Sequence, residues 1–422
     1  MFSLSFHLYG VFFLLLTLNS LTQSKIILPF KLFFPNSTYA NYLDKYYINY
    51  LGTEISIGTP PQKFILNLNS STNTFWVLSH RAELPFPSYD LTKSSSVKDG
   101  NSFITKVKDV ILDEGQHIKD IIMLDKQNVL MDIFTGIKVN SHYINSGIIG
   151  LDISGDSYYF NDIFFIKQLK QKDIISSYAF YVKYNKDNSG SLIIGEYPHD
   201  SDSRYKKNNM IPYRTTIDGG RLKWGLTFMN IKHNGTDFEV GSVGIIKIES
   251  GLIIGTKEYS DIIYDSFFKD KISSNQCKEI TSEVYEIFSY QCDKDAQIEN
   301  YPMLFFNVDG INKMFNFTFK ELFEYEDGHY NYMIAFNKMP THSKWILGTP
   351  FIKNHMIVFD QDRKLIAPYL EDSANDLTLY YIWIVICILI LLIILMLCYL
   401  RRRRHVRYSK KKQIESTQYR SL

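Results

Sequence analysis

Serine, histidine and aspartate are plentiful in this chain, and together they are the raw material of a nucleophile–base–orienter triad. No Gly-x-Ser-x-Gly turn is present to present a serine at a strand-to-helix corner, so serine-type catalysis is not expected. His117, His142 and His199 do not fall at metal-ligand spacing and read as solvated surface. Asn36, Asn234 and Asn316 each open an N-x-Ser/Thr sequon, consistent with exposure in a secretory lumen, and Asn69 opens a fourth. Four cysteines in 422 residues exclude a disulfide scaffold.

The elements that position such residues lie between two apolar ends. Apolar content is 45% and charged content 21%, an ordinary globular mixture with enough material for a sizeable core. Net charge is +2, but residues 401–422 hold nine Lys/Arg against one Glu, which is +8, so residues 1–400 sum to −6. The basic surplus belongs to the tail, and no nucleic-acid partner is expected for the folded part. Residues 8–18 form a short apolar run followed by Thr22 and Ser24, which reads as a secretory signal over 1–24; no Lys or Arg precedes it, and an uncleaved anchor is the alternative. Residues 380–400 are 21 residues without a charge, enough at about 1.5 Å each to cover roughly 30 Å of bilayer hydrocarbon. Tyr380, Tyr381 and Trp383 mark one edge and Arg401 to Arg404 the other, the polarity of a type I protein with 25–379 lumenal and 401–422 a basic cytosolic tail. Cys387 and Cys398 fall in the span and should stay reduced. Tyr419 and Leu422 frame a tyrosine-based sorting pattern, which would suit endosomal or lysosomal membranes, with the cell surface as the other destination.

From residue 50 to 370 short runs rich in Ile, Phe, Tyr and Val alternate with Gly, Asn and Asp, as in Gly190-Ser-Leu-Ile-Ile-Gly195 and Met356-Ile-Val-Phe359. These predict strands, and the class is mainly β. The best helical stretches are Asn161 to Lys172 and Tyr259 to Lys271.

Five segments in order carry a specific resemblance. They are Asn41-Tyr-Leu-Asp44, Tyr50-Leu-Gly-Thr53 running into Ile55-Ser-Ile-Gly-Thr-Pro-Pro-Gln62, Phe64 to Ser79 ending on Trp76-Val77, Ser146-Gly-Ile-Ile-Gly-Leu151, and Lys344-Trp-Ile-Leu-Gly-Thr-Pro-Phe-Ile352 with Val358-Phe-Asp360. Together with Tyr178 to Tyr184 and Gly190 to Gly195 they cover about 320 residues and resemble the pepsin-like aspartic proteases. The resemblance implies a bilobal β fold, with a signal at 1–24, a short N-terminal segment at 25–49, lobes at 50–208 and 209–370, a stalk at 371–379, one membrane helix at 380–400 and the tail at 401–422. It implies no cofactor and no metal. It also implies a local disulfide between Cys277 and Cys292.

The family's chemistry requires two carboxylates, one per lobe, that share a proton so that one serves as base on water while the other donates to the substrate carbonyl. Each normally sits in Asp-Thr/Ser-Gly. Here the first triplet is Asn69-Ser70-Ser71, and an amide can neither accept a proton from water nor hold the dyad's charge. Ser71 also takes a glycine position. Reading back from Leu252-Ile-Ile-Gly255 makes the second triplet Lys247-Ile248-Glu249, which preserves the loop's length and the apolar strand Gly244-Ile245-Ile246. A two-residue deletion would instead align Glu249-Ser250-Gly251. Either way the pair is missing. The Tyr of the substrate-covering hairpin is missing too, since no Tyr lies between Tyr89 and Tyr143 and the region reads Ile104-Thr-Lys-Val-Lys-Asp-Val-Ile-Leu-Asp113. The expected protein is a membrane-anchored protease homologue that binds an extended peptide without cutting it. The alternatives are an active aspartic-type endopeptidase using Glu249, and a non-enzymatic adhesion or sorting receptor.

Overall fold

A computed structural model of the chain describes residues 25–369, except 35–40, 48, 83, 99–103, 107–111, 140–145, 154–163, 186, 311–313 and 340–343, together with 383–402. The predicted signal, Asn36, Tyr419 and Leu422 lie outside the described residues. The class is mainly β, as expected. One 13-stranded sheet and one 11-stranded sheet carry most of the chain, joined by a two-stranded hairpin pairing Thr216–Asp218 with Arg221–Lys223.

Each half is built around the same four-strand arrangement. In the first, the strand Gln62–Asn69 runs parallel to Gly147–Gly150, which lies antiparallel to Phe75–Leu78, itself parallel to Gln127–Val139. In the second, Thr236–Ile246 runs parallel to Lys344–Leu347, which meets Ile253–Gly255 antiparallel, and that strand runs parallel to Ile334–Asn337. The apolar runs that read as strands are those buried on both faces: Phe75–Leu78 and Gly147–Gly150 are buried at every residue, the condition that removes polar alternation from the sequence. Trp76, Trp224 and Trp345 are at most 1% exposed and anchor the packing.

The halves share a sheet. Ile357–Asp360 pairs with Ala179–Tyr184, which pairs with Gly190–Ile194, and the next strand is Ile26–Phe33, hydrogen-bonded on its other side to Tyr50–Ile57. The segment expected at 25–49 is therefore part of the folded body. Its helix Tyr42–Tyr47 docks on the second half, where the Tyr42 hydroxyl donates to the carbonyls of Tyr290 (2.9 Å) and Tyr332 (3.1 Å). Residues up to Tyr369 form one compact unit.

Of the two predicted helices, the first appears as Phe165–Gln171, and the second as Lys257–Ile263 followed by a π-type turn at Tyr264–Phe268 and by Lys269–Ser273. Thr256 caps the latter by accepting from Tyr259 N–H, which explains why it begins before the first apolar residue. In the separate C-terminal unit, Trp383–Arg402 is a 20-residue helix long and apolar enough to cross a membrane.

Cys277 and Cys292 stand directly opposite one another in the hairpin Cys277–Ser282/Ile287–Asp293 and form the disulfide. The bond closes 15 residues of chain, which the chain-entropy model values at about 3 kcal/mol. A Cys277→Ser/Cys292→Ser protein is expected to lose about that much stability, read as a lower urea midpoint.

His233 supplies a pH dependence. The ring is 9% exposed, its Nε2 lies 2.9 Å from the Ser266 hydroxyl and its Nδ1 is sealed without a partner. Burial holds its pKa below the ordinary 6.5. The unfolded chain then binds more protons than the folded one in mildly acidic solution. The contribution is fully present above about pH 6.5 and is lost as pH falls through the folded value. Replacing His233 with Gln is expected to flatten the dependence of the unfolding midpoint on pH between about 5 and 7.

Candidate functional site

Two loops meet where the halves face each other. The first leaves the strand Gln62–Asn69, with Asn69 in register with Gly150. The second leaves Thr236–Ile246, whose last residue is in register with Leu347, so Lys247 follows opposite Gly348, and Lys247 N–H donates to the Leu347 carbonyl at 3.1 Å. The return strands keep the same count. Trp76 pairs with Ile148 and Ile254 pairs with Ile346, seven residues after Asn69 (76 − 69) and seven after Lys247 (254 − 247). Lys247, rather than Glu249, therefore occupies the place in the second half that Asn69 occupies in the first.

Both glycines facing these loops admit no side chain. A Cβ on Gly150 would sit 2.4 Å from the backbone carbon of Asn73, and one on Gly348 would sit 2.2 Å from the Leu252 carbonyl oxygen and 2.5 Å from that of Ser250. The apolar-apolar-Gly elements are where each loop passes closest to a neighbouring backbone.

Hydrogen bonds lock the loops across the seam. The Ser70 hydroxyl accepts from Ile248 N–H (3.1 Å) and contacts the Ile246 carbonyl (3.5 Å), so it straddles the Lys247 peptide unit. Glu249 reaches back: its Oε2 accepts from Ser70 N–H (3.0 Å) and from the Ser70 hydroxyl (2.8 Å), and its Oε1 accepts from the Ser71 hydroxyl. The residues two past Asn69 and two past Lys247 are thus bonded to each other. Asn69 is 6% exposed, and its Oδ1 accepts from Ser71 N–H (2.8 Å) and Thr72 N–H (3.1 Å), holding the turn. The Lys247 side chain is half-buried and makes no hydrogen bond or ion pair among the described residues.

A second tie, which the sequence did not signal, is the ion pair between Lys223 and the buried carboxylate of Asp152, 2.6 Å long; the same ammonium lies 3.5 Å from the Ser71 carbonyl. Their 71-residue separation and the ordinary look of both residues hide it. Trp224 Nε1–H donates to the Leu151 carbonyl beside it (2.8 Å).

The covering hairpin exists. Ile104–Lys106 pairs antiparallel with Glu114–Gln116 inside Leu112–Leu124, and its tip at 107–111 lies outside the described residues. Trp76, 0% exposed, has an unpaired Nε1 among the described residues. Tyr89, the last tyrosine before this region, is buried and bonded to Asp120, whose carboxylate also accepts from Ser94 (2.8 Å) and Ser96 (2.6 Å). It is a core residue and does not stand in for a covering ring. Asn234 and Asn316 are both exposed.

The model of the eukaryotic aspartyl protease family matches residues 49–368. An acid protease of Saccharomycopsis fibuligera is 23% identical over 348 residues, covering 77% of this chain and 81% of the relative. The match spans both loops, both apolar-apolar-Gly elements and the sheet that joins the halves, and the chain belongs to the eukaryotic aspartyl protease family.

Proposed function

We propose that this family member is a membrane-anchored pseudo-protease, with lobes at 50–208 and 209–370, which binds an extended peptide between them and does not hydrolyse it. The observation that carries the reading is the content of the two equivalent positions: a carboxamide at Asn69 and an ammonium at Lys247, where a shared-proton carboxylate pair is required. Neither can act as the base that activates water while its partner acts as acid. An extended peptide suits the cleft because family folds of this kind recognise backbone through hydrogen bonds and side chains through pockets. The apolar helix Trp383–Arg402 supports a single span, and the exposure of Asn234 and Asn316 supports a lumenal, glycosylated body.

The competing reading makes Glu249 a lone catalytic acid. Against it stand the three donors from Ser70 and Ser71 that already occupy both oxygens of that carboxylate. The test is direct. Purified full-length protein in detergent is mixed with a diverse peptide library at steps from pH 3 to 7, and products are read by mass spectrometry. No cleavage is expected at any pH. Cleavage that disappears in the Asn69→Ala protein would sink the proposal.

A further inference from the structure

Two side chains at the loop tips keep donors without a partner among the described residues. Asn69 has its carbonyl oxygen committed to two backbone N–H groups, while its Nδ2 makes no hydrogen bond and is not sealed from solvent, although the residue as a whole is 6% exposed. Lys247 is half-buried as a residue, and its ammonium has no partner among the described residues. Both neighbouring carboxylates are spent: Glu249 on Ser70 and Ser71, Asp152 on Lys223. The group that satisfies both donors is an anion with an oxygen for each. The parent chemistry would set two acidic groups at these positions and repel an acidic ligand. Here those two positions hold an amide and an ammonium, with the Glu249 carboxylate bonded to Ser70 and Ser71 beside them.

We infer that the cleft centre binds a peptide carboxylate, which takes one hydrogen bond from Lys247 Nζ and one from Asn69 Nδ2. This inference rests on the peptide-cleft reading above and adds the ligand's chemistry to it. Two sources supply that group: an Asp or Glu side chain within the peptide, or the peptide's own C-terminal carboxylate. Each is a planar, singly charged acceptor at neutral pH.

The experiment uses full-length protein in detergent micelles and fluorescence anisotropy with sets of labelled octapeptides. One set carries a central Asp or Glu and is matched by a set with Asn or Gln in its place. A third carries a free C-terminal carboxylate and is matched by its amidated form. At least one acid–amide comparison is expected to favour the acid by about tenfold or more, the scale of one charge-assisted hydrogen bond. The comparison that responds identifies the source. The preference is expected to shrink between 50 and 500 mM salt and to vanish in the Lys247→Met protein, whose folding is checked by its urea midpoint. Equal binding of acid and amide peptides by the unaltered protein overturns the inference and leaves the peptide cleft standing. An acid preference that survives in folded Lys247→Met overturns it as well. Failure of every peptide to bind overturns the peptide cleft, and the inference with it.

Discussion

Substitution of Gly348 by alanine is expected to prevent the second half from closing, with a loss of about 4 kcal/mol or more, and Gly150→Ala to do the same to the first. The added methyl would meet backbone, namely the carbonyls of Leu252 and Ser250 at 2.2 and 2.5 Å for Gly348, and the Asn73–Thr74 peptide at 2.4 and 2.5 Å for Gly150. A flexible side chain could swing away from such a contact, but these atoms belong to loops already tied down. Ser250 alone is held by Thr349, whose N–H and hydroxyl donate to the Ser250 carbonyl at 2.7 and 3.0 Å. Overpacking typically costs 1–3 kcal/mol where neighbours relax, and losses above about 4 mark sites where they do not. Against a total stability of roughly 5–15 kcal/mol such a loss would be visible as absent folded protein or a collapsed urea midpoint. A midpoint equal to that of the unaltered chain would show that the loops can move apart.

The second large effect concerns the tie between the loops. Glu249→Ala removes the acceptor for one N–H and two hydroxyls. Hydrogen bonds to a charged group contribute about 1.5–3 kcal/mol each, reduced here because Glu249 is only half-buried. A net loss of about 3 kcal/mol is expected. Ser71→Gly should cost less, because one of the three bonds goes. The informative protein is the double variant Ser71→Gly/Glu249→Ala, which clears both partners. Removing both ends of an interaction leaves no stranded group between them, so the double variant should lose less than the sum of its single changes. Strict additivity in urea unfolding would mean that the two side chains do not cooperate, and that the contact between them is incidental.

These two results bear on what could be read in the residue string. The strands and the apolar-apolar-Gly elements were legible because burial on both faces imposes continuous apolar runs, as at Phe75–Leu78 and Gly147–Gly150. The first loop was legible because matching residues flank Asn69 on both sides. The second was ambiguous between Lys247 and Glu249, and only strand register decided it: equal counts from Asn69 to Trp76 and from Lys247 to Ile254 are a property of paired backbones. The bond from Glu249 to Ser71 was hidden for a different reason. Ser71 reads as a lost glycine and Glu249 as an alternative catalytic acid, and their 178-residue separation conceals that one departure complements the other. The strand Ile26–Phe33 reads in the string as a short leading segment, since nothing local announces that Ile26–Phe30 will pair with the distant strand Gly190–Ile194.

The sheet shared by the two halves dictates an order of events during biosynthesis. Ile26–Phe33 is among the first parts of the body to leave the ribosome, and Ile357–Asp360 and Leu365–Pro368, which complete the same sheet, are among the last. Until they arrive, Ala179–Tyr184 lacks its neighbour on one side, and the waiting chain exposes an open ladder edge of the kind that invites mispairing. Chaperones should therefore engage the newborn polypeptide until its last strands are made, and truncation just before residue 357 should yield a chain that is degraded.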